Sequence, residues 1–168
     1  MRGKGLHLRL GLAAILAMAG MLTISGMSRA QDPDPLTGVT VQQIGMVEPT
    51  DNPGQALVLL RLTLEPGVVI AEHGHPGAVA LYVESGEFGT TFTAGSGLVT
   101  RVATAGTPVP EEPIELNQDL VLMPGDAVSY DQNSHHIMRN VGSEPLVLLA
   151  SGILAADQPG FLFVETSN

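Results

Sequence analysis

The stretch from Gly67 to Gly86 reads GVVIAEHGHPGAVALYVESG, and it decides the fold. A β-branched run at residues 68–70 precedes two histidines, His73 and His75, which are two positions apart. Alternate side chains of a β-strand point to the same face, so we expect both imidazoles on one face of a sheet. Such a face can hold a metal ion.

A second short segment carries the other two histidines that lie beyond residue 30. His135 and His136 are adjacent there, and the segment ends at Asn140. By strand parity His136 shares a face with Met138, whereas His135 faces outward. Met138 is interpreted as packing, with soft contact to a copper ion as the alternative.

The rest of the chain predicts an all-β fold. Short apolar runs alternate with Gly, Pro, Asn and Asp, and about ten closely spaced strands favour a single barrel or jelly-roll sandwich. Residues 146–150 are apolar throughout and predict a strand covered on both sides. The predicted strands are 39–47, 56–64, 68–75, 79–84, 88–93, 98–103, 119–123, 127–130, 136–140, 146–154 and 161–165.

The N-terminus predicts export. Arg2, Lys4 and Arg9 precede an apolar run, and small residues near Ala30 offer a cleavage site, so residues 1–30 read as a signal peptide. An uncleaved anchor is the alternative, but the apolar run is shorter than the ~20 residues that span a bilayer. We therefore expect a secreted or periplasmic protein that has no membrane contact once the signal is removed.

Cleavage would leave one domain. Residues 31–38 are expected to form a mobile entry, and residues 39–168 one β-barrel with a long loop at about 94–117. All 17 acidic residues lie beyond residue 30, where Arg61, Arg101 and Arg139 are the only strong bases. The acidic surface disfavours nucleic acid and anionic membranes as partners. With no cysteine, metal ligands must be His, carboxylate or Met.

These two segments resemble the motifs of the cupin family. The first motif is Gly, five residues, His-x-His, three or four residues, Glu, six residues, Gly, and here Val79 stands where the Glu should be. The second is Gly, five residues, Pro-x-Gly, two residues, His, three residues, Asn, and here Asp131 and Asn133 replace its Pro and inner Gly. Asn tolerates the left-handed conformation, so the second replacement is interpreted as mild. The motif residues that match are Gly67, His73, His75, Gly86, Gly125, His136 and Asn140.

The resemblance implies a divalent transition metal inside the barrel, bound by His73, His75 and His136. Fe, Mn, Ni, Cu and Zn all suit three imidazoles, and some cupin-like thiol dioxygenases are similar in lacking the carboxylate. Loss of the metal, with the histidines bonded within the core, is the alternative. By parity Glu72 and Glu84 point away, and the acids of the loop, Glu111, Glu112 and Glu115, are expected to be solvated.

Three functions follow as hypotheses. The first is a mononuclear-metal oxygenase that acts on a small chelating substrate. The second is a non-catalytic module that binds or senses a small ligand, with a degenerate or empty metal site and apolar walls that include Val79, Leu81, Val83 and Met138. The third is a structural or storage barrel. A homodimer is a further expectation, because cupins frequently pair through their sheets.

Overall fold

The computed structural model describes residues 34–102 and 111–164. The predicted signal peptide, the first residues of the predicted entry, and residues 103–110 of the predicted loop lie outside the described residues. The described residues form strands and no helix. They contain no helical segment with the length and apolarity needed to cross a membrane.

The strands follow one another with short turns. In chain order they are β1 (Val39–Val47), β2 (Gln55–Leu64), β3 (Val69–Gly74), β4 (Gly77–Ser85), β5 (Phe88–Ala94), β6 (Gly97–Thr100), β7 (Glu112–Pro113), β8 (Asp119–Leu122), β9 (Ala127–Tyr130), β10 (His135–Asn140), β11 (Leu146–Ala155) and β12 (Leu162–Phe163).

Two antiparallel sheets make up the described fold. The larger sheet has the strand order β1-β2-β11-β4-β9-β6-β7, and the smaller has the order β12-β3-β10-β5-β8. Neighbours such as β2 and β11 are far apart in sequence, so most contacts are long-range. The predicted all-β jelly-roll barrel is confirmed.

The inner faces of both sheets supply one hydrophobic core. Side chains along β2, β4 and β11 alternate between buried and more exposed positions, as a sheet with one covered face requires. Burying an aliphatic side chain contributes about 1.5–3 kcal/mol, so this alternation specifies the strand register. Fully enclosed core residues include Leu64, Ile70, Phe88, Phe92, Leu122, Leu146 and Leu148.

The observed ends of most strands lie within two residues of the predicted ends, and β1 and β9 have the predicted bounds. The two-residue strand β7 was not predicted, because a Glu-Pro pair carries no strand signal. The expectation that residues 146–150 are covered on both sides is wrong for the outer face of β11. There Val147 and Leu149 are half-buried and Ile153 is 49% exposed, because only the inner face meets the second sheet.

The backbone conformation at the ends of the motifs requires glycine. Gly67, Gly86 and Gly125 have φ angles of 75°, 84° and 97°, a region that residues with a Cβ rarely adopt. A Cβ on Gly86 would also come within 2.7 Å of the Leu146 backbone. Asn133, by contrast, does not have a positive φ, so the left-handed role expected for it is wrong. Its amide instead donates to Asp131 Oδ1, which closes the turn before β10.

A candidate three-histidine metal centre

The pairing of β3 with β10 brings the two histidine segments together. His73 and His136 are direct partners across these strands, and both side chains are fully buried. Their ring centroids lie 4.5 Å apart. His75 follows β3 directly and reaches the same point from the end of the strand, with its ring centroid 5.0 Å from that of His73.

Three imidazole nitrogens converge at this point. One ligand atom from each of His73, His75 and His136 lies within 4.8 Å of the other two. His75 Nε2 and His136 Nε2 are 3.2 Å apart. The structure therefore places the three residues of the sequence-based hypothesis around a common centre.

Hydrogen bonds at the far side of each ring set its tautomer. His73 Nδ1 lies 2.7 Å from the Ala71 carbonyl oxygen, and His75 Nδ1 lies 2.7 Å from the Gly160 carbonyl oxygen. A carbonyl only accepts, so both Nδ1 atoms carry the proton and donate. Both Nε2 atoms are then left with a lone pair that points inward.

The third ring follows the same rule through a hydroxyl group. Thr90 Oγ1 donates to the Ile137 carbonyl oxygen at 2.9 Å. Its own lone pair then faces His136 Nδ1, 3.3 Å away, which donates to it. Metal-binding histidines in proteins are oriented in this way, with the other ring nitrogen bonded to an oxygen.

Burial keeps all three imidazoles neutral. It lowers the pKa of His73 to about 4. The hydrogen bond to the Ala71 carbonyl raises this pKa, and the neighbouring His75 lowers it further. Burial also lowers the pKa of His75 and, together with the adjacent rings, places the pKa of His136 well below 6.5. At neutral pH the centre is therefore a set of uncharged nitrogen donors.

These donors fit a cation. His73 Nε2 is buried and has no hydrogen-bond partner among the described residues. A buried acceptor without a donor costs about 1–3 kcal/mol, and two facing lone pairs at 3.2 Å add repulsion. A divalent transition metal would satisfy all three nitrogens at once, and imidazole suits Fe, Ni, Cu and Zn.

The carboxylate of the cupin motif has no substitute among the candidate acids. Glu72 accepts a hydrogen bond from Thr93, and Glu84 forms a bidentate pair with Arg61 on the outer face. Glu112 is exposed in β7, where it lies 3.9 Å from Arg101. Val79 itself is buried and apolar. The expectations that Glu72 and Glu84 point away and that the loop acids stay solvated agree with these contacts.

The remaining sequence candidates have structural roles. Met138 is buried in the core and packs beside the centre. Asn140 is buried and donates to the carbonyl oxygens of Leu64 and Glu144, which anchors the end of β10. His135 lies against Gly74, where an added Cβ would come within 2.8 Å of its ring, and it is not part of the converging group.

Sequence reasoning missed two features of the centre. The Tyr130 hydroxyl lies beside the imidazoles of His75 and His136, at the end of β9. Phe161, just before β12, packs on His73 and His75 with ring centroids at 5.1 and 5.6 Å. The parity of Tyr130 with the apolar Val128 is the one signal that indicated an inward tyrosine.

An apolar cavity of about 40 Å³ adjoins His75. Water needs roughly 10–15 Å³ on this measure, so the cavity has room for a small ligand or a few waters. Its wall is mostly aliphatic, and the exceptions are His75, Tyr130, Ser151 and Phe161. The other lining side chains near the centre are Leu60, Leu62, Val79, Leu81 and Met138.

Solved structures share this architecture. A cupin 2 domain-containing protein from Halorhodospira halophila superposes with a TM-score of 0.51 at 14% identity, over 81% of this chain and 77% of that one. The chain has the cupin fold. KdgF from Halomonas sp. matches at a TM-score of 0.48 and 18% identity, over 76% of this chain and 87% of that one. A cupin superfamily protein from Desulfitobacterium hafniense matches at 0.47 and 13%, over 75% and 94%.

No protein-family model and no curated protein matches this sequence. The likeness to the cupin structures is therefore one of fold. What this protein does has to follow from its own centre, in which three neutral imidazoles, a tyrosine hydroxyl and an apolar cavity meet.

Proposed function

We propose that this protein is an exported metal-binding cupin, with one divalent transition metal held by His73, His75 and His136. The observation that carries the proposal is the orientation of the three rings. Each Nδ1 donates outward, to Ala71, Gly160 or Thr90, so that each Nε2 presents a lone pair to the centre. Burial lowers the pKa of each ring, so each Nε2 keeps its lone pair at neutral pH.

The finer proposal is a mononuclear-metal oxygenase that acts on a small chelating substrate. A bound ion of this kind supplies Lewis acidity and a template for substrate and O₂. The chain's part is to hold the ion rigidly, since His73 and His136 sit on paired strands, and to exclude water with Phe161 and the aliphatic wall. Neutral imidazoles leave the charge of the ion uncompensated, which favours an anionic substrate.

A second candidate is a binding or sensing cupin. The observation that favours it is the lining of the cavity, which is mostly apolar and contains no carboxylate among the described residues. A small apolar ligand would then fill the space between Val79, Leu81 and Met138 without reacting.

Metal analysis tests the shared part of both candidates. Protein made without a His tag would be purified, stripped, and titrated with Fe²⁺, Mn²⁺, Ni²⁺, Cu²⁺ and Zn²⁺, with His136→Ala as the matched control. We expect one ion per chain in the wild type and a loss of at least about a thousandfold in affinity, or about 4 kcal/mol, in the variant. Equal binding by both proteins would contradict the proposed ligands.

Oxygen uptake then separates the candidates. Metal-loaded protein would be mixed with diols, flavonols and thiols in an oxygen electrode, and ligand binding would be followed in parallel by calorimetry. Uptake that disappears in His136→Ala supports the oxygenase. Binding of a compound without uptake supports the binding module.

Export is part of the proposal and has its own test. Residues 1–30 have the basic start, apolar run and small residues before Gln31 that signal cleavage needs. Mass spectrometry of the protein from its native host should give a chain that begins at Gln31. A chain that retains Met1 would contradict cleavage.

We also propose that two copies pair through the outer face of the larger sheet. Leu59, Tyr82 and Ile153 are 39–49% exposed there, and the charges of Arg61 and Glu84 neutralise each other. Light scattering of Ile153→Glu should show a monomer where the wild type is a dimer. The control is Val69→Glu, at a residue 56% exposed on the smaller sheet. A wild-type monomer would refute pairing.

A further inference from the structure

Tyr130 places an oxygen atom among the converging nitrogens. It is the last residue of β9, and its side chain is only 4% exposed on the inner face. Its hydroxyl oxygen lies 3.2 Å from His75 Nε2 and 3.3 Å from His136 Nε2. These are the atoms that the three-histidine centre offers to an ion.

The strand register relates Tyr130 to the missing carboxylate. Val79, which stands at the motif position of the Glu, is the direct partner of Tyr130 across β4 and β9. Paired residues on neighbouring strands point to the same face, and their Cβ atoms lie about 4.5–5.5 Å apart. The side chain of Tyr130 is therefore the inward-facing neighbour of the position where the motif has its Glu.

The distances match those between donors on one ion. Imidazole nitrogens and protein oxygens bind zinc at about 2.0–2.2 Å, so two donors of a tetrahedral site lie roughly 3.3 Å from each other. The three contacts among Tyr130 Oη, His75 Nε2 and His136 Nε2 measure 3.2, 3.3 and 3.2 Å. The three distances thus match one face of such a site.

Hydrogen bonding alone cannot satisfy this triangle. Both Nε2 atoms act as acceptors, because His75 Nδ1 and His136 Nδ1 carry the ring protons. The Tyr130 hydroxyl has a single hydrogen and can donate to one of the two. The other of these two nitrogens then has no donor. His73 Nε2 likewise has no hydrogen-bond partner among the described residues.

We propose that the Tyr130 hydroxyl oxygen is the fourth protein donor to the ion. It takes the place of the Glu carboxylate of the motif, at whose position this chain has Val79. This inference rests on the proposed metal-binding function. As the oxygen–metal bond forms, the O–H bond breaks and its proton leaves to solvent, so the centre gains one negative charge. That charge offsets part of the charge that three neutral imidazoles leave uncompensated.

The test compares the two tyrosines of the chain, Tyr130 and Tyr82. Tyr82 lies on the outer face of the same sheet and is 44% exposed, so Tyr82→Phe is a matched control for Tyr130→Phe. Wild type and both variants would be loaded with iron and oxidised to Fe³⁺. A ferric ion bound to a tyrosine oxygen has a charge-transfer band in the visible spectrum.

We expect the visible band in the wild type and in Tyr82→Phe, and its loss in Tyr130→Phe. Zn²⁺ affinity should fall at least about tenfold in Tyr130→Phe only. Iron-loaded wild type without the band, or Tyr130→Phe with unchanged Zn²⁺ affinity, would overturn the inference and leave the three-histidine site intact. Wild type that binds no metal would overturn the proposed function, and the inference with it.

Restoring the acid gives a second measurement. Because Val79 and Tyr130 are paired, Val79→Glu should recover the Zn²⁺ affinity that Tyr130→Phe loses. The same substitution in the wild type should have a smaller effect, because Tyr130 already fills the position. Equal effects in both backgrounds would show that the two side chains act independently and would contradict the inference.

Discussion

The strand β9 links two buried polar clusters that differ in how their atoms are paired. Asp126 lies just before its first residue, and Tyr130 is its last. The Asp126 carboxylate accepts from Arg101 Nη1 at 2.9 Å, from the Val102 amide at 2.8 Å and from the Met123 amide at 3.0 Å. At the other end, His73 Nε2 has no donor within the described chain.

This difference separates structure from function. A buried polar group whose bonds are complete stabilises the fold, whereas one left incomplete costs free energy and persists where a ligand completes it. The carboxylate of Asp126 joins the turn before β9 to the end of β6. His73 Nε2, by contrast, has no hydrogen-bond partner within residues 34–102 and 111–164 and so stays open to a ligand. Four predictions test the contrast, from the largest expected effect to the smallest.

Asp126→Ala should lower the free energy of unfolding by about 4 kcal/mol, because it leaves the Val102 and Met123 amides without their acceptor and removes the nearest carboxylate from Arg101. Urea unfolding followed by circular dichroism measures this loss. Asp119→Ala is the control, since Asp119 also pairs with an arginine, Arg139, but its side chain is 75% exposed. The control should lose far less, and Asp126→Asn, a milder change, should fall between the two.

Metal affinity provides the other half of this comparison. Folded Asp126→Asn should bind Zn²⁺ as the wild type does, because the carboxylate does not reach the histidine centre. If Asp126→Ala were as stable as the wild type, or if Asp126→Asn bound Zn²⁺ more weakly, the Asp126 cluster could not be called structural and the histidine centre functional.

The stability of the metal-free protein should depend on pH in two separate windows. Folding lowers the pKa of His73 from 6.5 to about 4, so the unfolded chain binds more protons between these values. Stability is then complete above pH 6.5 and falls as the pH drops towards 4, by roughly 3 kcal/mol for His73 alone. Burial lowers the pKa of His75 and His136 as well and deepens this loss.

The Asp126 window lies lower on the pH scale. Burial raises the pKa of Asp126, but the amides of Met123 and Val102 and the Arg101 guanidinium outweigh it, so the pKa lies below 3.8. Its contribution is present above that value and disappears only in stronger acid. Urea titrations from pH 8 to 3 should show the histidine loss first, and saturating Zn²⁺ should move it to lower pH. A flat profile between pH 6.5 and 4 would contradict neutral buried histidines.

Thr90→Val should weaken Zn²⁺ binding about tenfold, or about 1.4 kcal/mol. Thr90 is fully buried, and its hydroxyl accepts from His136 Nδ1 while it donates to the Ile137 carbonyl. Valine keeps the shape of the side chain but no longer orients the ring. Thr91→Val is the control, because the Thr91 hydroxyl contacts Asp119 and Arg139 at the surface instead. Equal affinities in the two variants would remove Thr90 from the centre.

The sequence predicted much of this arrangement because local patterns carry it. Alternating apolar residues located the strands, and the His-x-His spacing with a third histidine located the donors. The positive φ of Gly67 and Gly86 explains why glycine punctuates the motif. Each of these signals lies within a few residues of the feature that it predicts.

Features that depend on long-range register could not be predicted. Tyr130 reaches the centre because β9 pairs with β4 at Val79, about fifty residues away in the chain, and no local pattern encodes that pairing. Similarly, Asp126 lies in the turn before β9, but its role depends on Arg101 and Val102 beyond β6. The partner of a buried polar group is a property of the tertiary fold.

His73→Leu should change stability and metal binding in opposite directions. Leucine fills a similar volume at this fully buried position and removes the orphaned Nε2, so the metal-free variant should gain about 1 kcal/mol despite losing the bond to the Ala71 carbonyl. The same variant should lose Zn²⁺ binding, and saturating Zn²⁺ should stabilise the wild type alone. Thermal melts with and without Zn²⁺ measure both effects. If His73→Leu destabilised the metal-free protein by several kcal/mol, as Asp126→Ala is expected to do, the histidines would be structural after all.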